Sequence, residues 1–73
     1  SSPETARLIA WLRAQGITGV GQSSWGPTVF ALLPDQTSAE QLRVALLATP
    51  EFRGYETLIA PPANTGASIQ VTD

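Results

Sequence analysis

The chain of 73 residues is long enough for one small domain and too short for two. It contains neither cysteine nor histidine, which excludes disulfides, zinc sites built on those residues and histidine-based hydrolase triads. The net charge of −2, with four arginines and no lysine, disfavours nucleic acid and acidic membranes as partners, because both require a basic surface. Hydrophobic residues make up 42% of the chain, and no apolar run reaches the length of a membrane helix. The composition therefore predicts a globular domain, with a cytoplasmic location by default.

The first part of the chain predicts a helix, a short strand and a loop. The helix is expected from Pro3 to Gln15, because Ser2 offers an N-cap hydroxyl, apolar residues recur at helical spacing, and Gly16 supplies the stop. A weak strand, Ile17–Val20, follows, since β-branched residues alternate there with glycine. Residues 21–27 are rich in glycine and serine and are expected to form a loop.

The middle of the chain predicts a strong strand and a second helix. Thr28–Leu33 is a continuous β-prone and apolar run, typical of a strand covered on both faces or nearly so. Asp35, which follows a proline, is expected to form a turn rather than to act as a general base. Thr37 and Glu40 have capping-box spacing ahead of apolar residues at helical intervals, so the second helix is expected at Ser38–Ala48.

The C-terminal part predicts one more strand and a weakly β-prone tail. The strand is Tyr55–Ala60, with Tyr55, Thr57 and Ile59 on one face, and the tail contains the β-prone stretch Ser68–Val71. This order of elements suits an α+β fold, a ferredoxin-like two-layer sandwich with two helices on one face of an antiparallel sheet and its first strand lacking. That strand would lie in the centre of the sheet, so the tail, a partner chain or upstream sequence must fill the gap.

Residues 1–73 are therefore expected to form a single partial domain. The sequence contains no methionine, which indicates a processed chain or a piece of a longer protein.

Residues 16–27 form the one segment whose composition indicates chemistry. It holds four glycines and three hydroxyl side chains in twelve positions. Glycines allow backbone N–H groups to approach a phosphate or carboxylate closely, and the serine, glutamine and tryptophan side chains add polar and aromatic partners. The alternative is a glycine-rich hairpin whose serines satisfy turn hydrogen bonds and whose tryptophan covers the core. The dinucleotide-binding fingerprint and the P-loop are both excluded, because no helix follows the glycines and no Gly-Lys-Ser/Thr occurs.

The string from Gly19 to Thr28, Gly-Val-Gly-Gln-Ser-Ser-Trp-Gly-Pro-Thr, resembles the signature of the β-ribofuranosylaminobenzene 5′-phosphate synthases, relatives of the GHMP kinases. Residues 55–67 are similar to that family's C-terminal end, so the resemblance covers nearly the whole chain. It implies that the chain is the C-terminal, GHMP kinase-like domain of a synthase of tetrahydromethanopterin biosynthesis. Such a synthase condenses para-aminobenzoate, or a similar benzoate, with phosphoribosyl pyrophosphate and releases carbon dioxide and pyrophosphate.

The resemblance also implies a site, although it assigns no catalytic residue. The phosphorylated substrate and the aromatic acid would contact Gly19, Gly21, Gln22, Ser23, Ser24, Trp25 and Gly26. The glycines would act through their backbone, and Trp25 would pack against the aromatic ring. Mg²⁺ is expected on the diphosphate of the full-length enzyme. Because the N-terminal GHMP-like domain and its phosphate loop lie outside these residues, this chain alone is expected neither to bind the metal nor to turn over.

Two alternatives stay open from the sequence. One is a non-catalytic ferredoxin-like module that binds a small molecule or forms a homo-oligomer by strand addition. The other is the C-terminal domain of a GHMP-type small-molecule kinase. Outside residues 16–27, structural roles are favoured: the four arginines are expected on solvated surfaces, and Trp11 is expected to pack in the core or against a partner.

Overall fold

The structure, a computed structural model, describes residues 2–23, 26–61 and 65–73. Its elements follow in the order α1 Pro3–Ala14, β1 Gly19–Gln22, β2 Thr28–Leu33, α2 Gln36–Ala48, β3 Glu56–Ala60 and β4 Ala67–Thr72. All six predicted elements are present. The largest difference in their bounds is two residues, at β1 and at the start of α2. As a result, Gly21 and Gln22 belong to a strand rather than to the predicted loop.

Helix α1 begins and ends as the sequence predicts. The side-chain oxygen of Ser2 accepts a hydrogen bond from the N–H of Thr5 at 3.1 Å, which satisfies one of the unpaired donors of the first turn. The helix ends before Gly16, whose φ of 87° lies in the left-handed region that favours glycine.

The start of helix α2 differs from the prediction. Asp35 Oδ1 accepts a hydrogen bond from the N–H of Ser38 at 2.7 Å, so the helix begins at Gln36 and the predicted capping box at Thr37 is wrong. Aspartate ranks at least as high as threonine at an N-cap, and this one comes first along the chain. The hydrogen bond also lowers the pKa of the Asp35 carboxyl. The structural role expected for Asp35 is confirmed, as a helix cap.

The four strands form one antiparallel sheet in the order β1-β2-β4-β3. Strand β4 pairs with β2 along one edge and with β3 along the other, and so occupies the central position. The missing central strand could come from the tail, a partner chain or upstream sequence, and the structure shows the tail in that position. The fold is thus a ferredoxin-like α+β sandwich whose missing first strand is replaced by the C-terminal strand.

Both helices cover the same face of the sheet, and the core lies between the two layers. Side chains that are at most 1% exposed come from α1, α2, β2 and β4, including Leu8, Leu46, Val29 and Ile69. Trp11 lies with its ring centroid 5.7 Å from that of Phe52, which confirms its expected packing role. None of the described helices is long and apolar enough to span a bilayer.

Strand β2 differs from its prediction as a strand covered on both faces. Val29, Ala31 and Leu33 are buried against the helices, whereas Phe30 and Leu32 are 38% and 58% exposed on the opposite face. A continuous apolar run cannot by itself distinguish two covered faces from one apolar face left open. The sheet therefore has a covered face, next to the helices, and an open face.

The arginines of the two helices lie on solvated surfaces, as expected. Arg7 Nε donates to Glu51 Oε2, and this hydrogen bond raises the pKa of Arg7. Arg43 Nε lies 4.0 Å from Glu40 Oε1 on the same helix. Pairs as exposed as these contribute little to stability.

Candidate functional site

The open face is made of the outward residues of four strands, which the strand register arranges in three rows. The first row holds Ser23, Thr28, Thr72 and Glu56. The middle row holds Gly21, Phe30, Gln70 and Leu58. The third row holds Gly19, Leu32, Ser68 and Ala60. Leu58 is 63% exposed, so the middle row presents two large apolar side chains to the outside.

A cavity of about 620 Å³ lies on this face, within the size range of small-molecule sites. It joins the end of β1 to the centre of the sheet, and it is lined by Gln22, Ser23, Thr28, Phe30, Leu32, Ser68 and Gln70. The side-chain hydroxyl oxygens of Thr28 and Thr72 lie 2.9 Å apart, at hydrogen-bond distance, in the first row next to the cavity. We call this space the open-face cavity; it combines two apolar side chains with neutral amides and hydroxyls.

Gly21 determines how Phe30 lies in the open-face cavity. A Cβ atom placed on Gly21 would lie 2.4 Å from Phe30 Cζ, so the ring rests directly on the glycine backbone. A Cβ atom on Gly19 would likewise lie 3.0 Å from Leu32 Cβ. Both glycines therefore serve the open face by leaving room for the side chains of the neighbouring strand.

The backbone of these two glycines is engaged in the sheet. Ser23 N–H donates to Thr28 O at 2.8 Å, and hydrogen-bonded pairs alternate along an antiparallel ladder. By that alternation, Gly19 and Gly21 also stand in hydrogen-bonded pairs with β2, and their N–H groups point at that strand. A contact between substrate and these residues stays a prediction, but their amide groups are directed within the sheet.

Gln22 and Ser23 both line the open-face cavity, next to side chains that the sequence did not single out. Ser23 belongs to the open face, whereas Gln22 is in register with the buried Val29, so its side chain belongs to the covered side of the sheet. Gly26 is exposed, with a φ of 149° that side-chain-bearing residues rarely adopt, so glycine is needed at this turn. Ser24 and Trp25, the other two predicted site residues, lie outside the described residues.

Sequence analysis missed Phe30, Leu32, Ser68 and Gln70 as site residues. One signal for Phe30 and Leu32 is present in the sequence, because the five successive apolar residues from Val29 to Leu33 exceed what one buried face requires. Ser68 and Gln70 carry no such signal. They reach the cavity only because β4 enters the centre of the sheet, and that pairing joins residues distant in sequence.

The open face is almost free of charge. Among its described residues, the only ionisable side chain is that of Glu56, at one end of the first row. The four arginines lie elsewhere, on α1, on α2 and in the turn before β3. Phosphate sites normally use arginine, lysine or a metal ion to balance the charge, and the described residues of this face include no arginine or lysine.

The expected Mg²⁺ can be tested against the same residues. Within residues 2–23, 26–61 and 65–73, no group of three or more acidic side chains lies close enough together to hold a metal ion. Magnesium prefers an octahedral shell of oxygen ligands, usually with one or two carboxylates and substrate phosphates. One or two carboxylates can therefore suffice, and Mg²⁺ on the diphosphate of the full-length enzyme stays a prediction.

Comparison with known proteins gives one match. The model of the family described as GHMP kinases C terminal matches residues 1–51, which include α1, β1, β2 and α2. The match ends before β3 and β4, the two strands that complete the sheet. No curated protein and no solved structure matches the chain.

Proposed function

Because this chain belongs to the family of GHMP kinase C-terminal domains, we propose that it forms the substrate-contacting C-terminal domain of a small-molecule-transforming enzyme. In this proposal the open face turns toward an N-terminal domain encoded outside these residues, in a cytoplasmic protein. The observation that carries the proposal is the open-face cavity, which unites Ser23 and Thr28 with Phe30 and Gln70. Neutral polar groups around an apolar floor are the usual composition of a small-molecule site.

Because the open face carries almost no charge, the two domains would bind different parts of the substrate. Phe30 and Leu32 offer apolar contact, and the amide of Gln70 offers a donating NH₂ group and an accepting oxygen next to them. Such a surface suits the uncharged part of a substrate. The phosphate groups and their Mg²⁺ would then be held by residues outside the described part of this chain.

The family match favours phosphoryl transfer to a small molecule as the first candidate reaction. In that case the open face contacts the acceptor, and the remainder of the enzyme holds the phosphoryl donor. Catalysis of this kind depends mainly on positioning and on charge stabilisation. The neutral cavity would contribute positioning alone.

A second candidate reaction is supported by the string Gly19–Thr28, which resembles the β-ribofuranosylaminobenzene 5′-phosphate synthases. Here the enzyme would condense para-aminobenzoate, or a similar benzoate, with phosphoribosyl pyrophosphate. The exposed ring of Phe30 suits packing against an aromatic acid, since offset aromatic pairs are favourable. The carboxylate of that acid would again need a cation from outside the open face.

The third candidate, a non-catalytic module that assembles through the gap in its sheet, loses its main support. Strand β4 occupies the gap, so a second copy is not needed to complete the sheet. A small-molecule-binding module without catalysis would still use the same cavity.

The complete natural protein, assayed with Mg²⁺, separates these candidates. One assay supplies phosphoribosyl pyrophosphate with para-aminobenzoate and follows pyrophosphate and carbon dioxide; the other supplies ATP with a panel of small alcohols and follows ADP. ADP formation that depends on one alcohol supports the first candidate, and joint release of carbon dioxide and pyrophosphate supports the second. Activity in neither assay contradicts both proposed reactions.

The role of the open face is tested by Gln70→Ala in the active assay, with Thr57→Ala on the opposite face of the neighbouring strand as the matched control. We expect Gln70→Ala to raise KM about 10-fold, as the loss of one hydrogen bond to substrate would do. An unchanged KM and kcat would show that the face does not contact substrate.

A further inference from the structure

A second cavity lies on the other side of the sheet, where the two helices diverge. Helix α1 lies over β1 and β2, helix α2 lies over β2, β3 and β4, and no Cα atom of one helix lies within 8 Å of a Cα atom of the other. At one end of this separation, between the turn after α1 and the first turns of α2, is a cavity of about 450 Å³. We call it the helix-end cavity; its size suits a small molecule.

The floor of the helix-end cavity is apolar and already well packed. Leu33 and Leu42 are 9% and 6% exposed, and Ile17 and Ala45 are half-buried beside them. These side chains come from three different elements, so the floor is fixed by the core itself. An aliphatic or aromatic group placed there would be removed from water, which is favourable in proportion to its area.

The rim of the cavity is polar but carries no charge. Gln15, Thr18, Ser38 and Gln41 stand around it, and none of the described residues that line it is ionisable. The N–H of Ser38 at the start of α2 is already bonded to the carboxylate of Asp35. An anion at this helix end would therefore meet a carboxylate rather than a vacant donor, whereas amide and hydroxyl groups are matched by the rim.

We propose that the helix-end cavity binds an uncharged amphipathic small molecule, with its apolar part on Leu33 and Leu42 and an amide-like or hydroxyl group at the rim. This site is separate from the open-face cavity and takes a different class of ligand from a phosphorylated substrate. The two cavities share one residue, Leu32, which lines both.

The test is an NMR titration of the ¹⁵N-labelled 73-residue chain with three probes. Hexanamide has both the apolar tail and the neutral polar group; hexanoate keeps the tail but adds a charge, and acetamide keeps the amide but lacks the tail. We expect saturable shifts from hexanamide at Thr18, Leu33 and Leu42. Hexanoate and acetamide should each bind at least about 10-fold more weakly, because of the desolvation of the charge and the loss of methylene groups respectively.

Two variants localise the binding. Ala45→Phe fills the cavity from α2, whereas Ala48→Phe places the same ring on an exposed position of that helix, outside the cavity. Hexanamide binding should be lost in the first variant and retained in the second. Intermolecular NOEs from hexanamide to the Leu42 methyl groups of the unmodified chain give the same information without any substitution. Equal affinity for hexanoate and hexanamide, or an absence of those NOEs, overturns the proposal.

Discussion

The two faces of the sheet are built from alternate residues of the same strands, yet they differ in what they can do. On β4, Ile69 and Val71 are completely buried on the covered face, whereas Gln70 between them is exposed on the open face. Antiparallel sheets with one solvated face normally carry polar residues on it. Here Phe30, Leu32 and Leu58 remain exposed.

This difference separates stability from recognition. The covered face holds the contacts between the sheet and both helices, so its side chains determine whether the chain folds. The open face leaves Phe30 and Leu32 exposed as neighbours on β2, and Leu58 exposed on the far side of Gln70, which is apolar area that folding does not require. Exposed apolar area beside polar residues is typical of a binding surface. A single strand therefore contributes to both stability and recognition, because the side chains of consecutive residues lie on opposite faces of the sheet.

The largest expected effect is from a substitution on the covered face of β4. Ile69→Ala should lower the free energy of unfolding by about 2–5 kcal/mol, because it leaves a cavity in the core. The total stability expected for a chain of this size is only about 4–11 kcal/mol. Urea unfolding followed by circular dichroism measures the change, and Gln70→Ala on the adjacent position is the matched control. Equal losses for both variants would contradict the division between the faces.

The next effect concerns the contact between Gly21 and Phe30. Gly21→Ala should destabilise the chain by about 1–3 kcal/mol, because the new methyl group overlaps the ring. Gly54→Ala, where the added methyl group meets open space, is the control and should stay within about 0.5 kcal/mol.

A double-mutant cycle sharpens that prediction. If the ring is the cause, Gly21→Ala should cost little in a Phe30→Ala background, and the two changes should be strongly non-additive. Additive losses would show that the glycine is needed for its backbone rather than for the room that it leaves to Phe30.

The sequence was sufficient for the local structure. Ser2 and Gly16 define the ends of α1, and the alternation of Tyr55, Thr57 and Ile59 predicts one face at β3, which in the structure is the half-buried face. These signals depend on residues close together in the chain. The cap of α2 was misplaced because Asp35 and Thr37 are both good caps, and their separation of two residues is within the usual uncertainty of helix ends.

The candidate site could be predicted only in part, because it depends on long-range pairing. Gln22 and Ser23 were identified from the composition of the glycine-rich segment, and both line the open-face cavity. Ser68 and Gln70 enter it through the pairing of β4 with β2, which no local pattern specifies. The solvent exposure of the open face could not be predicted from the sequence either. An apolar strand with an exposed binding face has the same sequence pattern as a fully buried strand.

A smaller effect is expected from the helix layer, at the cap of α2. The pKa of Asp35 is lowered in the folded state by its hydrogen bond from Ser38, so ionised Asp35 stabilises the fold above its ordinary pKa of 3.8. That contribution is lost as the pH falls through the lower, folded-state pKa. Asp35→Asn keeps a capping oxygen without the charge. The difference in melting temperature between the two chains should therefore shrink between about pH 6 and about pH 2; a constant difference would assign no stabilising role to the charge.

The smallest effect on stability is expected on the open face itself, and it provides the sharpest contrast between the two functions of the sheet. Leu58 is 63% exposed, so Leu58→Gln should change the free energy of unfolding by no more than about 0.5 kcal/mol. The same substitution should weaken the binding of an uncharged apolar dye such as Nile red, because it removes one of the three large apolar side chains that are exposed on this face. Ile59→Gln, on the neighbouring position that faces the helices, should do the reverse by lowering stability without reducing dye binding to the folded chain. If Leu58→Gln instead destabilised the chain as much as Ile59→Gln, the open face would be part of the stabilising core, and its apolar residues would need no partner to explain them.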